Sequence, residues 1–232
     1  MSLLVPPRRP SHERLDDPDL PCEEMRRSLE DLRMVNQRWG ASRPLERHLR
    51  ARIRPFGNRP VTILDVGAGS GDVASRLQGA LRSSGSRVRV TALDLQWRHL
   101  RVGRVLSEEP PASVAADAFR LPFATGAFDL AVSTLFFHHF SPEENRELLR
   151  ELSRVARHGF ALLDLRRHRL PELFVSVAGR LFFRARISVE DGAASVRQAY
   201  TPEEALRIAE SASPGSRARR VFPFRWLLTG GP

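Results

Sequence analysis

Lysine is absent from this sequence: all 37 basic residues are arginine, set against 27 acids for a formal net charge of +10. Such one-sided usage has the look of a base-composition bias. Apart from short runs at Arg8-Arg9, Arg166-Arg167-His168-Arg169 and 217–220, the arginines are scattered, so the charge reads as a solvated surface and no nucleic-acid partner is expected. Cysteine is nearly absent too. Cys22 alone excludes an internal disulfide and a cysteine-based zinc cluster. No stretch approaches the roughly 20 apolar residues of a membrane span, and the first apolar run ends at Pro6, too soon for a leader. The expectation is a soluble, cytoplasmic protein, and 232 residues suffice for one domain with a full core.

Prolines at 6, 7, 10, 18 and 21 break any helix, so residues 1–21 read as a flexible arm before a single domain over 22–232. Met25, Leu29, Leu32, Met34, Val35 and Trp39 recur at helical spacing up to Gly40, and Leu45, Leu49 and Ile53 mark a second short helix from Ser42. Residues 22–56 thus form a helical cap. Beyond Pro60 the pattern becomes short β-rich runs at 61–66, 88–95, 113–118, 129–134 and 160–165, separated by helical stretches at 71–81, 97–107 and 142–156. Ser141 and Glu144 make a capping box for the last of these. Alternation of this kind predicts an α/β fold with a doubly wound, mostly parallel sheet. Residues 166–200 are an insertion whose segment 170–186 carries Phe174, Val177, Ala178, Leu181 and Phe182 on one face; it reads as a lid, with burial against the sheet as the alternative. Residues 201–232 supply a last helix and strands, with Pro223 leaving little room for a hairpin.

After the first strand, Asp65-Val-Gly67-Ala68-Gly69-Ser-Gly71-Asp72 sets three glycines at alternate positions before a helix, where a loop must bend and let backbone lie against a ligand. Asp72 stands where a pyrophosphate would approach a dinucleotide loop, so a cationic ligand fits better. Asp94 ends the second strand, and Asp117-Ala118 with Leu121-Pro122-Phe123 and Phe128-Asp129 follow the third. In order and spacing these motifs resemble the class I S-adenosylmethionine-dependent methyltransferases over residues 61–165. The resemblance implies a Rossmann-like fold, S-adenosylmethionine as cofactor, and a binding set: Asp65, Gly67, Ala68, Gly69 and Gly71 toward the methionine portion, Asp94 and Leu95 around the ribose, Asp117 and Ala118 at the adenine, and Ser133 on strand four. Phe119 either lies along the adenine or packs beneath the loop.

The fourth strand runs into Phe136-Phe137-His138-His139-Phe140 at the sheet edge where open α/β proteins place their sites. The resemblance implies His138 or His139 as general base or acceptor-orienting group, and Asp164, ending strand five, can orient such a histidine; capping and packing are the structural alternatives. Asn36, Trp39 and Tyr200 are further acceptor-facing candidates with equally structural readings. Strand four lacks the Asn/Asp-Pro-Pro-aromatic segment of nucleic-acid amino methylation, and Asp164 is the one oxygen ligand after strands four and five, so no metal is expected. A small molecule remains as partner. The chain layout looks like the ubiquinone and menaquinone biosynthesis methyltransferases and enzymes acting on phenolic polyketides, which suggests O-methylation of a lipophilic phenol, with C-methylation of a quinol precursor next. A cofactor-binding regulator without turnover is the reading from another class. Arginines flanking the lid also fit contact with an anionic membrane.

Overall fold

The structure is a computed structural model and describes residues 4–38 and 40–231; Trp39 lies outside the described residues. Seven strands form one sheet: β1 (Val61–Val66), β2 (Val88–Asp94), β3 (Ala112–Ala115), β4 (Leu130–Thr134), β5 (Phe160–Leu165), β6 (Arg217–Val221) and β7 (Arg225–Gly230). Their order is β3-β2-β1-β4-β5-β7-β6, parallel except for β7, which is antiparallel to both neighbours. Helices α1 (Cys22–Arg38), α2 (Arg43–Ile53), α3 (Asp72–Ser83), α4 (Trp97–Leu106), α5 (Pro142–Val155), α6 (Arg169–Phe182), α7 (Arg186–Gln198) and α8 (Pro202–Ala212) flank it. This is the expected α/β architecture.

Because successive strand residues face opposite sides of a sheet, a strand covered on both sides must be apolar throughout. In β1, Ile63 packs with Leu45 and Leu49 of α2 and Leu77 and Leu81 of α3, whereas Leu64 joins Leu148 and Leu152 of α5 and the buried Trp226. The capping boxes form at Ser141/Glu144 and at Thr201/Glu204, fixing the starts of α5 and α8; each cap is worth about 1 kcal/mol.

Three expectations change. The third strand stops at Ala115 rather than 118, because the Asp117 carboxylate turns back to accept the Phe119 amide at 2.9 Å and takes the chain out of the sheet. The tail does form a hairpin, since Pro223 lies in the turn between β6 and β7 where no ladder donor is needed. The insertion is two helices, not one helical segment over 170–186. Asp31 of α1 accepts the amides of Arg184 (3.0 Å) and Ala185 (2.9 Å) and the Ser188 hydroxyl (2.8 Å), capping α7 from outside its own sequence and ending α6 before it.

The arm, expected to be free, is docked: residues 9–15 lie along α7, and Pro18 and Leu20 accept from Arg98 of α4. Asp191 accepts the amides of Arg14 and Leu15, both at 2.9 Å. Arg8 donates to the carbonyls of Gln198 (2.6 Å), His138 (2.9 Å) and Phe140 (2.9 Å) and stacks on Tyr200. The prolines do prevent a long helix. The docking combines polar side chains of α7 with Leu15 and Leu20, which pack with Met25, Leu29, Ala185 and Ile187, and two leucines five residues apart make no helical or strand period in the arm.

Candidate cofactor and acceptor site

At the β1/β4 point, where strand order reverses, a cavity of about 860 Å³ opens at the carboxyl ends of the strands. Its walls come from the glycine loop, the ends of β2 and β4, the arm, α1, α6 and α7.

One end is acidic. Asp65 is 1% exposed and neither carboxylate oxygen has a hydrogen-bond partner; burial, with Asp72 and Asp94 nearby, pushes its carboxyl well above the usual range. Burial raises Asp72 as well, against the Asn36 amide that donates to it at 2.9 Å. Asp94 is raised by burial despite accepting the amides of Gln96 (2.8 Å) and Gly69 (2.7 Å). Each of its oxygens keeps a second lone pair, so a diol can still be held. Gly67 has φ +68°, and a Cβ there would overlap the Phe136 ring. At Gly69 an added Cβ would meet open space, leaving backbone bare toward the cavity. Leu95, Asp117, Ala118 and Phe119 line the next stretch.

Two expected donor residues do not line the cavity. Ser133 is buried with its hydroxyl on the Val66 carbonyl at 2.7 Å, a cross-link between β4 and β1. Gly71 sits at the start of α3 with φ +66°, shaping the loop from below. Gly103 was missed by sequence reasoning: any Cβ on it would overlap the Ser70 carbonyl, so α4 lies directly against the loop. A glycine inside a helix is the signal that could have found it.

The opposite end holds the histidines. His138 is 2% exposed; its Nδ1 lies 2.7 Å from Asp164 and its backbone amide donates to the other Asp164 oxygen at 3.0 Å. Its Nε2 lies 3.3 Å from Glu13 of the arm. Burial opposes charge on this ring, but Asp164 and Glu13 outweigh it and raise His138 to about 10. An imidazole held in its protonated state orients rather than abstracts. His139 stacks on His138 at 4.4 Å, with Nδ1 3.1 Å from Asp16 and Nε2 3.9 Å from Glu13. The Glu13 carboxylate also accepts from Ser195 (2.6 Å) and Gln198 (2.7 Å); burial opposes its charge, but the neighbouring imidazoles of His138 and His139 outweigh burial and lower its pKa. Sequence reasoning missed Glu13 and Asp16 because they belong to a segment read as free.

Asn36 reaches the cavity, on the donor side through Asp72. Tyr200 does not: it is 3% exposed, packs on Phe137 and donates to the Phe140 carbonyl at 2.7 Å. Phe174 of α6 does line the cavity, while Leu173, Val177 and Leu181 on the same helix are 61%, 67% and 83% exposed. Burial of α6 against the sheet is thereby excluded, since Gly179 is the one buried residue along it.

A doubly wound sheet with an antiparallel β7, a glycine loop at the switch point and acids in the last residues of β1 and β2 give the chain the layout shared with class I S-adenosylmethionine-dependent methyltransferases. Residues 63–159 match the family model described as "Methyltransferase domain". The chain is 37% identical over 94 residues to a ubiquinone/menaquinone biosynthesis C-methyltransferase of Methylobacterium nodulans, covering 39% of this chain and 36% of that one. It is 31% identical over 155 residues to a demethylmenaquinone methyltransferase of Porphyromonas gingivalis, covering 64% and 60%. The matches thus span between about a third and three-fifths of these relatives. Among solved structures, the plantazolicin methyltransferase in complex with SAH superposes with a TM-score of 0.62 at 15% identity, covering 90% of this chain and 96% of that one. A SAM-dependent methyltransferase from Aquifex aeolicus gives 0.53 at 22% identity, covering 77% and 86%. The fold is shared with both. The donor end fits the cofactor of this class: the unpartnered Asp65 carboxyl and two further buried acids with raised pKa values make a desolvated end whose ionised form a cationic ligand would stabilise.

Proposed function

We propose that this chain transfers a methyl group from S-adenosylmethionine to a small lipophilic, aromatic acceptor. A phenolic oxygen is the first reading of the acceptor atom. A quinol-precursor carbon is second, favoured by the relatives that are C-methyltransferases. The observation that carries the proposal is a single cavity joining the acidic end around Asp65 and Asp94 to the histidine end, with α6 phenylalanine and leucine side chains between its walls and solvent.

When bound, the cofactor supplies a methyl group activated on a sulfonium. Asp65 with the backbone of Gly67, Ala68 and Gly69 holds the methionine portion; Asp94 accepts the ribose hydroxyls; Leu95, Asp117 and Ala118 frame the adenine. Ser133 and Gly71 act from behind by fixing β4 and the loop. Asp164 positions His138, and His138 and His139 orient the acceptor's polar group. In-line placement supplies much of the acceleration in such transfers, so no dedicated base is required. The exposed apolar side of α6, flanked by the exposed Arg169, Arg180, Arg184 and Arg186, suits a lid that rests on an anionic membrane where such acceptors partition. Among the described residues no helix is long and apolar enough to cross one.

S-adenosylhomocysteine should raise the melting temperature of the purified protein, and Asp94→Ala should weaken its binding roughly ten- to hundredfold, the value of one or two charge-assisted hydrogen bonds. Labelled methyl groups should then pass into the lipid-soluble fraction of a cell extract. Equal stabilisation by NAD without a response to S-adenosylhomocysteine would overturn the donor assignment; donor binding with no label transferred would favour a cofactor-binding regulator.

A further inference from the structure

Glu13, His138 and His139 come from two segments far apart in the chain, yet one ligand atom from each lies within 4.8 Å of the others. Both rings are arranged alike. His138 presents Nδ1 to Asp164 at 2.7 Å and His139 presents Nδ1 to Asp16 at 3.1 Å, which turns both Nε2 atoms toward the one Glu13 carboxylate, at 3.3 and 3.9 Å. A carboxylate on one ring nitrogen with the other nitrogen facing inward is how proteins orient histidines toward a metal ion. The inward nitrogen of His138 is buried with no hydrogen bond.

The separations fit an ion better than a hydrogen bond. Ligands about 2.0–2.1 Å from a tetrahedral ion lie about 3.3 Å apart, whereas an N–H···O bond draws its atoms to about 2.9 Å. His138 Nε2 lies at that distance from Glu13 Oε1, and His139 Nε2 lies 3.9 Å from the other carboxylate oxygen, Oε2. Ser195 and Gln198 both donate to Glu13 Oε1 and hold the carboxylate in place, which leaves Oε2 as the oxygen open to an ion.

We propose that Glu13, His138 and His139 bind a divalent first-row transition ion, of the zinc or ferrous class, at the acceptor end of the cavity. Two imidazoles and one carboxylate are the donors of that class, whereas magnesium and calcium take oxygen ligands. Three protein ligands leave positions open to the cavity, where two adjacent acceptor oxygens, as in a vicinal diol or an enolised diketone, can bind and be held toward the donor. Glu13 reaches this site from the N-terminal arm, outside the strand ends from which the absence of a metal was expected. This inference rests on the proposed acceptor end of the cavity, but its test reads the cation and not the methyl donor.

The test is titration of the chelator-treated full chain with Co²⁺, followed by its visible ligand-field bands, and with Zn²⁺ by calorimetry. One ion per chain is expected, with proton release to buffer. Glu13→Gln and His139→Ala should each lower affinity at least tenfold, and Asp164→Asn about 10–100-fold by loosening His138. S-adenosylhomocysteine stabilisation, measured on the same samples, should persist in Glu13→Gln and His139→Ala, showing that the variants fold and that the donor end is separate. A wild-type protein with no stoichiometric Co²⁺ spectrum, or unchanged affinity in the Glu13→Gln/His139→Ala double variant, overturns the proposal. Loss of donor binding with the ion still bound would instead overturn only the donor reading.

Discussion

Asp65 shows most directly how single residues set the donor end. A buried carboxylate without a hydrogen bond is costly when ionised, and its raised pKa is that cost in another form. In the ligand-free fold the penalty is absent below the unfolded value of about 3.9 and complete above the raised one, so these acids lower stability as pH rises through that window. A bound ammonium favours the ionised form. Affinity for S-adenosylhomocysteine should therefore increase with pH through the acid range, by at most about tenfold per unit for each proton linked. Calorimetric titration between pH 5 and 8 checks this, with Asp65→Asn weakening binding and flattening the profile. A pH-independent Kd in the wild type would contradict it. Asp65 and Asp94 were legible because each ends an apolar run where a strand must stop. Asp16 and Glu13 were not, since nothing beside them marks a partner on α7 or after β4.

Among the elements, α6 departs furthest from ordinary packing. Helices α5 and α8 bury apolar side chains on the sheet, whereas α6 exposes Leu173, Val177 and Leu181 while Leu170, Pro171 and Phe174 reach the cavity. Exposed apolar ridges of this kind mark contact surfaces. Vesicles containing anionic lipid should co-sediment the protein, less so at high salt, and Leu173→Ser/Leu181→Ser should lower that partition while leaving S-adenosylhomocysteine affinity unchanged. Equal sedimentation of the variant would remove α6 as the contact. Helical periodicity located this element but could not say where it ends, because the residue that stops it, Asp31, lies on α1.

For the whole molecule, part of the arginine complement behind the charge of +10 is engaged within the fold. Arg154 donates to the carbonyls of Leu121 and Phe123 and pairs with Glu151, and Arg167 pairs with Glu204 while holding the Ala199 and Pro6 carbonyls. Guanidinium forks suit such multiple bonding. Binding to random duplex DNA should accordingly be weak and vanish by moderate salt, as judged by anisotropy titration; tight, salt-resistant binding to an RNA would revive the nucleic-acid reading.

The alternation of strands and helices, the glycine loop and the acids at the ends of β1 and β2 were determined by the sequence itself, because strand periodicity, left-handed glycine positions and caps are local constraints read within a few residues. Gly103 against Ser70, Asp31 capping α7 and the meeting of Glu13 with His138 and His139 were decided only by the tertiary structure. Each joins groups distant in the chain through one or two polar contacts or a single close approach. Such pairings leave no periodic trace in the sequence, and only the packed helices bring them within reach.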